Sequence, residues 1–119
     1  WKGHIGQRNF KEELKKFDID ESDLIKQEIK IIDFREKLLE IVSENKNSKI
    51  VLKIDCEGAE YEIIKSIDFN TIGKDISLIM IEWHDKGPSA LKDKLLQNNF
   101  SVFCLHNSSS NAGMIYAAK

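Results

Sequence analysis

The chain has 119 residues, the length of one ordinary domain, and 41% of them are hydrophobic and 32% charged. That apolar content is typical of a globular fold and excludes a disordered chain. Eighteen basic and twenty acidic residues leave a formal charge of −2, without the basic excess that binding to a nucleic-acid backbone requires. We therefore expect one soluble domain, residues 1–119, with no nucleic-acid partner.

The cysteines and the apolar runs indicate where the protein works. Cys56 and Cys104 each lie inside or beside an apolar run, which predicts buried free thiols in a reducing, cytoplasmic environment. No run approaches the roughly 18 apolar residues that cross a bilayer, and the N-terminus lacks the charged-then-apolar order of a signal peptide. We expect a cytoplasmic protein with no membrane partner. Because the chain opens on Trp1 rather than methionine, we also expect a fragment of a longer protein.

The first third of the chain has two short patterned segments. In "NFKEELKKF", Phe10, Leu14 and Phe17 recur at helical spacing after Asn9, which suits an N-cap. The isoleucine-rich "EIKIIDF", residues 28–34, is brief enough for a strand. These segments predict a short amphipathic helix followed by the first strand.

The middle of the chain alternates helix and strand. "REKLLEIVSEN" places Leu38, Leu39 and Val42 on one face of a predicted helix. "KIVLKID", residues 49–55, has apolar residues on both faces, as expected of a parallel strand that helices cover on both sides. Another helix is predicted from about Ala59. Its inward residues are expected to be Ile63, Ile64 and Ile67.

The rest of the chain predicts a buried strand, a helix and a hairpin. "ISLIMIEWH" is the most apolar run, and "GPSALKDKLLQNN" predicts a helix with Pro88 in its first turn and Leu91, Leu95 and Leu96 on its buried face. "FSVFCLHN" and "GMIYAAK" are strand-like, and the loop between them is too short for a parallel crossover. We therefore predict an α/β fold with a mostly parallel sheet, an antiparallel C-terminal hairpin and helices on both faces.

Ionisable residues gather at the ends of two predicted strands. Lys53, Asp55 and Glu57 close the first strand, and Glu82 and His84 close the second. Ligands of open α/β sheets bind at the carboxyl ends of the strands, so neighbouring strands would bring these groups together. A lysine in a strand buried on both faces needs a partner, and Asp55 is the nearest one.

A structural explanation competes with this functional one. Glu57 and Glu60 lie near a predicted helix N-terminus, where the helix dipole and free N–H groups stabilise carboxylates in any protein. Gly58 suits the sharp turn from strand to helix, because glycine tolerates positive φ. His84 fits a structural role as well as that of a proton acceptor. The acids and His84 are also of the types that bind divalent metals. Their spacing is not diagnostic, however, and we expect no metal site.

A family resemblance sharpens these alternatives. "LKIDCEGAEYEIIKSI" resembles the signature of the FkbM-type S-adenosylmethionine-dependent methyltransferases, in which Leu-Lys-Ile-Asp-x-Glu-Gly-Ala-Glu closes a central strand and opens the next helix. "LIMIEWH" is similar to the family's following strand, and "GMIYAAK" is similar to its closing strand. The resemblance implies a partial Rossmann-like class I methyltransferase fold. It also implies a parent enzyme that methylates a hydroxyl of a glycan or small molecule.

The resemblance assigns roles to the residues at the strand ends. It implies that Asp55 faces the cofactor, S-adenosylmethionine. Glu57 and His84 become candidate bases that take the proton from the acceptor hydroxyl as it attacks. Lys53 is expected to orient Asp55 or to lower the acceptor's pKa. Glu82 is expected to position the acceptor or His84.

One part of the family's cofactor site has no counterpart in the sequence. Such enzymes hold the cofactor's amino-acid end in a glycine-rich loop, but Gly3 and Gly6 follow no apolar strand and open no helix. We therefore expect residues 1–119 to be the carboxyl part of one methyltransferase domain, with an incomplete cofactor site and no activity alone. An uncovered sheet edge or face is then expected to favour self-association.

Two other functions remain open at this point. A non-catalytic α/β interaction module could retain the methyltransferase scaffold, and the missing glycine-rich loop favours it. A metal-dependent hydrolase that uses the acids and His84 finds no support in the resemblance. The joint presence of five ionisable groups at the strand ends favours an enzyme as the parent protein. These groups are Lys53, Asp55, Glu57, Glu82 and His84.

Overall fold

The computed structural model describes residues 15–23, 25, 27–106 and 111–119. The chain divides into two units, Trp1–Ile31 and Ile32–Lys119. In the described part of the first unit, Glu21–Asp23 form a single 3-10 turn. Most of the helix predicted around Phe10 and Leu14 lies outside the described residues.

The strand predicted at residues 28–34 does not form. Residues 27–33 have neither helical nor strand structure, and the first helix of the second unit begins at Phe34. Ile29 is 76% exposed. A β-branched run gains little as a strand unless other residues pack on it, and here the Asp33 side chain accepts a hydrogen bond from the Glu36 N–H and starts a helix instead.

Three α-helices follow among the described residues of the second unit, together with a 3-10 turn at Gly73–Asp75. They are α1 (Phe34–Glu44), α2 (Glu60–Ser66) and α3 (Ser89–Gln97). Each was predicted from its apolar spacing, and Leu38, Ile64, Leu91 and Leu95 are buried as expected. Leu39 and Leu96 are exposed instead, because each directly follows a buried leucine and so points about 100° away from it.

Four strands form one mixed sheet in the order β1-β2-β4-β3. They are β1 (Ile50–Asp55), β2 (Ile76–His84), β3 (Ser101–His106) and β4 (Ala112–Ala118). The predicted parallel pair is confirmed, with Asp55 opposite Glu82. The predicted antiparallel hairpin of β3 and β4 is confirmed as well, and β4 also pairs antiparallel with β2.

The helices pack on one face of this sheet, here called the covered face. Its central residues are buried in one core together with the inward residues of the helices. They are Ile54, Ile79, Ile81, Trp83, Ile115 and Ala117. The expectation of helices on both faces therefore holds for one face only among the residues that the structure describes.

The opposite face, here called the open face, carries the alternate residues of each strand. It combines apolar side chains with the predicted site residues, and all of them are exposed or half-buried. In register order they are Val51, Lys53, Asp55, Leu78, Met80, Glu82, His84, Met114, Tyr116, Phe103 and Leu105. The prediction that β1 is buried on both sides was thus wrong for this face.

The structure also shows how exposed the two cysteines are and whether a helix could span a membrane. Cys104 is half-buried, but Cys56 is exposed, because it lies just beyond the end of β1 in the turn that leads to α2. Among the described residues, no helix is long and apolar enough to span a bilayer.

Candidate functional site

The corner between β1 and α2 holds two residues in a left-handed backbone conformation. Glu57 has φ 45° and Gly58 has φ 102°. Only four residues separate the strand from the helix, so the chain must reverse sharply, which confirms the role predicted for Gly58. A non-glycine residue at positive φ is uncommon and costs free energy. Such strain persists when surrounding contacts fix it, and it concentrates at functional sites.

Glu60, the first residue of α2, supplies contacts that fix this corner. Its side chain is completely buried at 0% exposure. One carboxylate oxygen, Oε2, accepts a hydrogen bond of 2.7 Å from the Gly58 N–H. The other, Oε1, accepts one of 2.7 Å from the backbone N–H of His84, at the end of β2. A single buried carboxylate therefore ties together the loops that follow both parallel strands.

The loop after β2 is also sharply turned and is held by Tyr61. Asp85 and Gly87 have φ values of 59° and 75°. The Tyr61 hydroxyl lies 2.8 Å from the His84 carbonyl oxygen and 3.0 Å from the Gly87 carbonyl oxygen, and it shares its proton between them. Burial, and then the negative charge of Glu60, raise the pKa of the Tyr61 hydroxyl above its usual range. Tyr61 therefore remains a hydrogen-bond donor at neutral pH.

His84 occupies the centre of the site, with three carboxylates around its ring. Its Nδ1 lies 3.3 Å from Oε1 of Glu60. Its Nε2 lies 3.8 Å from Oε1 of Glu57 and 3.9 Å from Oε1 of Glu82. The side chain is 14% exposed, whereas that of Glu57 is largely in solvent. The imidazole thus links a buried carboxylate on one side to an accessible pair of carboxylates on the other.

Lys53 and Asp55 lie beside this group on the open face. The Lys53 Nζ is 3.6 Å from Oδ2 of Asp55, which confirms the predicted pair. Lys53 is 64% exposed, however, so burial does not force the pairing, contrary to the expectation from sequence. Residues two apart on one strand share a face, and that proximity is sufficient to bring the two charges together.

Three of these residues have the side-chain arrangement that could hold a cation. One ligand atom from each of Asp55, Glu57 and His84 lies within 4.8 Å of the other two. Oxygen and imidazole ligands of this kind suit several divalent metals. The same negative surface also suits a ligand that carries a positive charge, or a hydroxyl that must lose a proton.

The structure brings the sequence-predicted residues together but adds two that were missed. Glu57, Glu82 and His84 form the centre, with Asp55 beside them and Lys53 attached through Asp55. From the sequence, Glu60 was interpreted as a helix-dipole residue and Tyr61 as a packing residue. A local signal existed only for the contact between Glu60 and Gly58, because a glutamate at a helix start can accept hydrogen bonds from the preceding turn.

Comparisons with known proteins bear on the same segment. The model of the family described as the methyltransferase FkbM domain matches residues 4–102, well over half of the chain. The matched range includes β1, β2, the corner between β1 and α2, and every residue of the site. Searches of the curated proteins and of the solved structures found no significant match.

Proposed function

The chain belongs to the FkbM methyltransferase domain family, and from that premise we propose that it serves S-adenosylmethionine-dependent O-methyl transfer to a hydroxyl of a glycan or small molecule. The observation that carries this proposal is the meeting of Asp55, Glu57, Glu82 and His84 at the carboxyl ends of two adjacent parallel strands. Ligands of α/β sheets bind at that edge. The paired strands also support a partial Rossmann-like class I arrangement as part of the proposal.

The chemistry of the site fits the proposed cofactor. S-adenosylmethionine carries a positively charged sulfonium, and when bound it supplies an electrophilic methyl group. Asp55 lies on the open face at the end of β1, where its carboxylate is accessible to a cationic ligand. The Lys53 Nζ pairs with that carboxylate at 3.6 Å and limits the directions in which it can point. We assign Asp55 to the cofactor and Lys53 to the orientation of Asp55.

The acceptor hydroxyl needs a base, since its oxygen must lose a proton as it bonds to carbon. Glu57 offers an exposed carboxylate, and His84 offers Nε2 on the same side of the ring. Either group within hydrogen-bond reach of the hydroxyl can take that proton. Glu82 lies 3.9 Å from Nε2 and is placed to orient the acceptor or the imidazole. We assign the proton transfer to Glu57 and His84 together.

A second function is supported by a different observation. The open face places apolar side chains beside the acids, including Val51 and Phe103, which are more than half exposed. An apolar surface of this kind is typical of a site that another protein covers. A non-catalytic interaction module that retains the methyltransferase scaffold would use this face and would not need the acids.

Calorimetric titration of the full-length protein with S-adenosylmethionine distinguishes these functions. For an enzyme we expect saturable binding that Asp55→Asn weakens and that the exposed control Glu62→Gln, on the outside of α2, leaves intact. Transfer of labelled methyl groups to a panel of sugars and small alcohols then tests the reaction. Absence of both binding and transfer would overturn the enzymatic proposal and leave the interaction module.

A further inference from the structure

Glu60 makes contacts that exceed what a helix-capping carboxylate needs. A capping carboxylate accepts hydrogen bonds from the first N–H groups of its own helix or from the turn just before it. Glu60 accepts one such bond, from the Gly58 N–H, but its second oxygen reaches across to a different strand end. There Oε1 contacts both the backbone N–H and the ring Nδ1 of His84.

The ring contact has a chemical consequence. An ionised carboxylate only accepts hydrogen bonds, so the imidazole nitrogen that faces Glu60 must carry a proton for the contact to be favourable. In a neutral imidazole the other nitrogen then keeps its lone pair. For His84 that other nitrogen is Nε2, which faces Glu57 and Glu82 at the accessible side of the site.

We propose that Glu60 is a positioning residue that holds neutral His84 in the Nδ1–H tautomer, so that Nε2 is the ring nitrogen that can accept a proton, beside the Glu57 carboxylate. The proposal deepens the methyl-transfer function and rests on it for the identity of the proton donor, the acceptor hydroxyl. Glu60 itself is buried at 0% exposure and does not reach the accessible side. It acts only through His84 and through the loop backbone.

The backbone contacts make this positioning specific. Oε1 fixes the main chain of His84 through its N–H, and the Tyr61 hydroxyl fixes the same residue through its carbonyl oxygen. Both backbone polar groups of His84 are therefore fixed by hydrogen bonds, and the 3.3 Å contact between Nδ1 and Glu60 sets the rotation of the ring. Oε2 holds the Gly58 N–H in the adjacent corner, so the one carboxylate also fixes the backbone next to Glu57.

The tautomer is measurable without cofactor or acceptor. The chain has three histidines, and in protein labelled with ¹⁵N at histidine, His4→Gln and His106→Gln identify the His84 signals. Long-range ¹H–¹⁵N spectra recorded up to about pH 9, well above the usual histidine pKa, reveal which nitrogen is protonated in the neutral ring. We expect Nδ1–H to exceed Nε2–H by about tenfold or more, because hydrogen bonds to charged acceptors are strong. A dominant Nε2–H form, or a ring still doubly protonated at that pH, would overturn the proposal.

A matched pair of variants tests whether Glu60 is the cause. Glu60→Gln keeps the size of the side chain but leaves only one acceptor atom for the two loops, so the tautomer preference should fall about tenfold. Glu62→Gln removes an equivalent charge two residues along the same helix, where the side chain is exposed, and should leave the tautomer unchanged. An unchanged preference in folded Glu60→Gln would contradict the assignment. If Glu60→Gln does not fold, the wild-type spectrum decides alone.

Kinetics of the full-length protein separate this inference from the proposed function. In Glu60→Gln we expect kcat to fall about tenfold while the KM for S-adenosylmethionine stays within about twofold, since Glu60 does not contact the proposed cofactor residue Asp55. Equal kcat values in Glu60→Gln and Glu62→Gln would reject Glu60 as a positioning residue. Failure of the protein to bind S-adenosylmethionine would reject the proposed function, yet the tautomer measured by NMR would stand.

Discussion

The two faces of the sheet are built from the same four strands but serve opposite purposes. On the covered face, Ile79, Ile81 and Ile115 have no solvent exposure and join the helices in one core. On the open face, their direct neighbours in sequence include Met80, Glu82 and other exposed or half-buried residues. Because successive strand residues point to opposite faces, one strand can supply the core and the site in alternation. Stability and chemistry are therefore separable by single substitutions along β2.

The largest predicted effect tests that separation on neighbouring residues of β2. Ile81→Ala should lower the free energy of unfolding by about 2–5 kcal/mol, because it removes buried methyl groups and leaves a cavity. Met80→Ala, at the adjacent position on the open face, should cost about 1 kcal/mol or less, since a half-exposed side chain leaves little cavity. Urea denaturation measures both values. Similar losses in the two variants would mean that the open face is covered in solution.

The second prediction concerns the acids at the site, where a substitution should lower activity and leave stability nearly unchanged. In the full-length protein, Glu57→Gln and Asp55→Asn should each lower methyl-transfer turnover by about a hundredfold or more, since they remove one of the two proposed proton acceptors and the proposed cofactor contact, respectively. Stability should change by about 1 kcal/mol or less, the size of a helix-dipole contribution. His84→Ala should lower turnover by less and remove the acidic limb of the pH–rate profile.

The outcome that contradicts this prediction is equally definite. Full methyl transfer by the Glu57→Gln, Asp55→Asn double variant would leave only a helix-capping role for the acids at this corner. Glu62→Gln is the matched control, because it removes a carboxylate from the exposed side of the same helix. Its turnover should equal that of the unmodified enzyme.

Alternation and strand ends made much of this arrangement predictable. The parallel pairing of β1 with β2, the hairpin of β3 with β4 and the meeting of five ionisable groups all follow from local patterns in the sequence. Those patterns depend only on neighbouring residues and on the general rule that ligands bind at strand ends. They do not depend on which other elements lie nearby.

The features that were missed depend on the surroundings of each element. "EIKIIDF" has the composition of a strand but forms none, and Ile29 is exposed. Val51 and Lys53 were expected to be buried, yet the helices that the structure describes pack on the other side of β1. Glu60 looked like an ordinary helix-start acid, because its contact with His84 spans 24 residues of sequence. Long-range contacts of this kind leave no local pattern.

A third prediction concerns the apolar part of the open face. Phe103 and Leu105 are at least half exposed on β3, an outer strand of the described sheet. We predict concentration-dependent self-association, which Phe103→Lys should weaken about tenfold or more by removing a buried aromatic side chain from the contact. Leu96→Lys is the control, since Leu96 is an exposed leucine on the helical side. Sedimentation measures the effect, and a monomer at every concentration would contradict it.

The smallest predicted effect lies in the loop after β2, where the Tyr61 hydroxyl donates to the carbonyl groups of His84 and Gly87. Tyr61→Phe should lower the free energy of unfolding by about 0.5–1.5 kcal/mol at neutral pH, the net value of such hydrogen bonds. Burial raises the pKa of the folded Tyr61 above its unfolded value, so the stability that its neutral hydroxyl supplies is complete below the unfolded pKa of about 10. That stability is lost as the pH rises through the raised pKa.

Urea denaturation at neutral and alkaline pH should therefore show a steeper alkaline loss of stability in the wild type than in Tyr61→Phe. Tyr116→Phe is the control, because it keeps Tyr61. Equal alkaline losses in all three proteins would show that the Tyr61 hydroxyl does not support the loop beside the site.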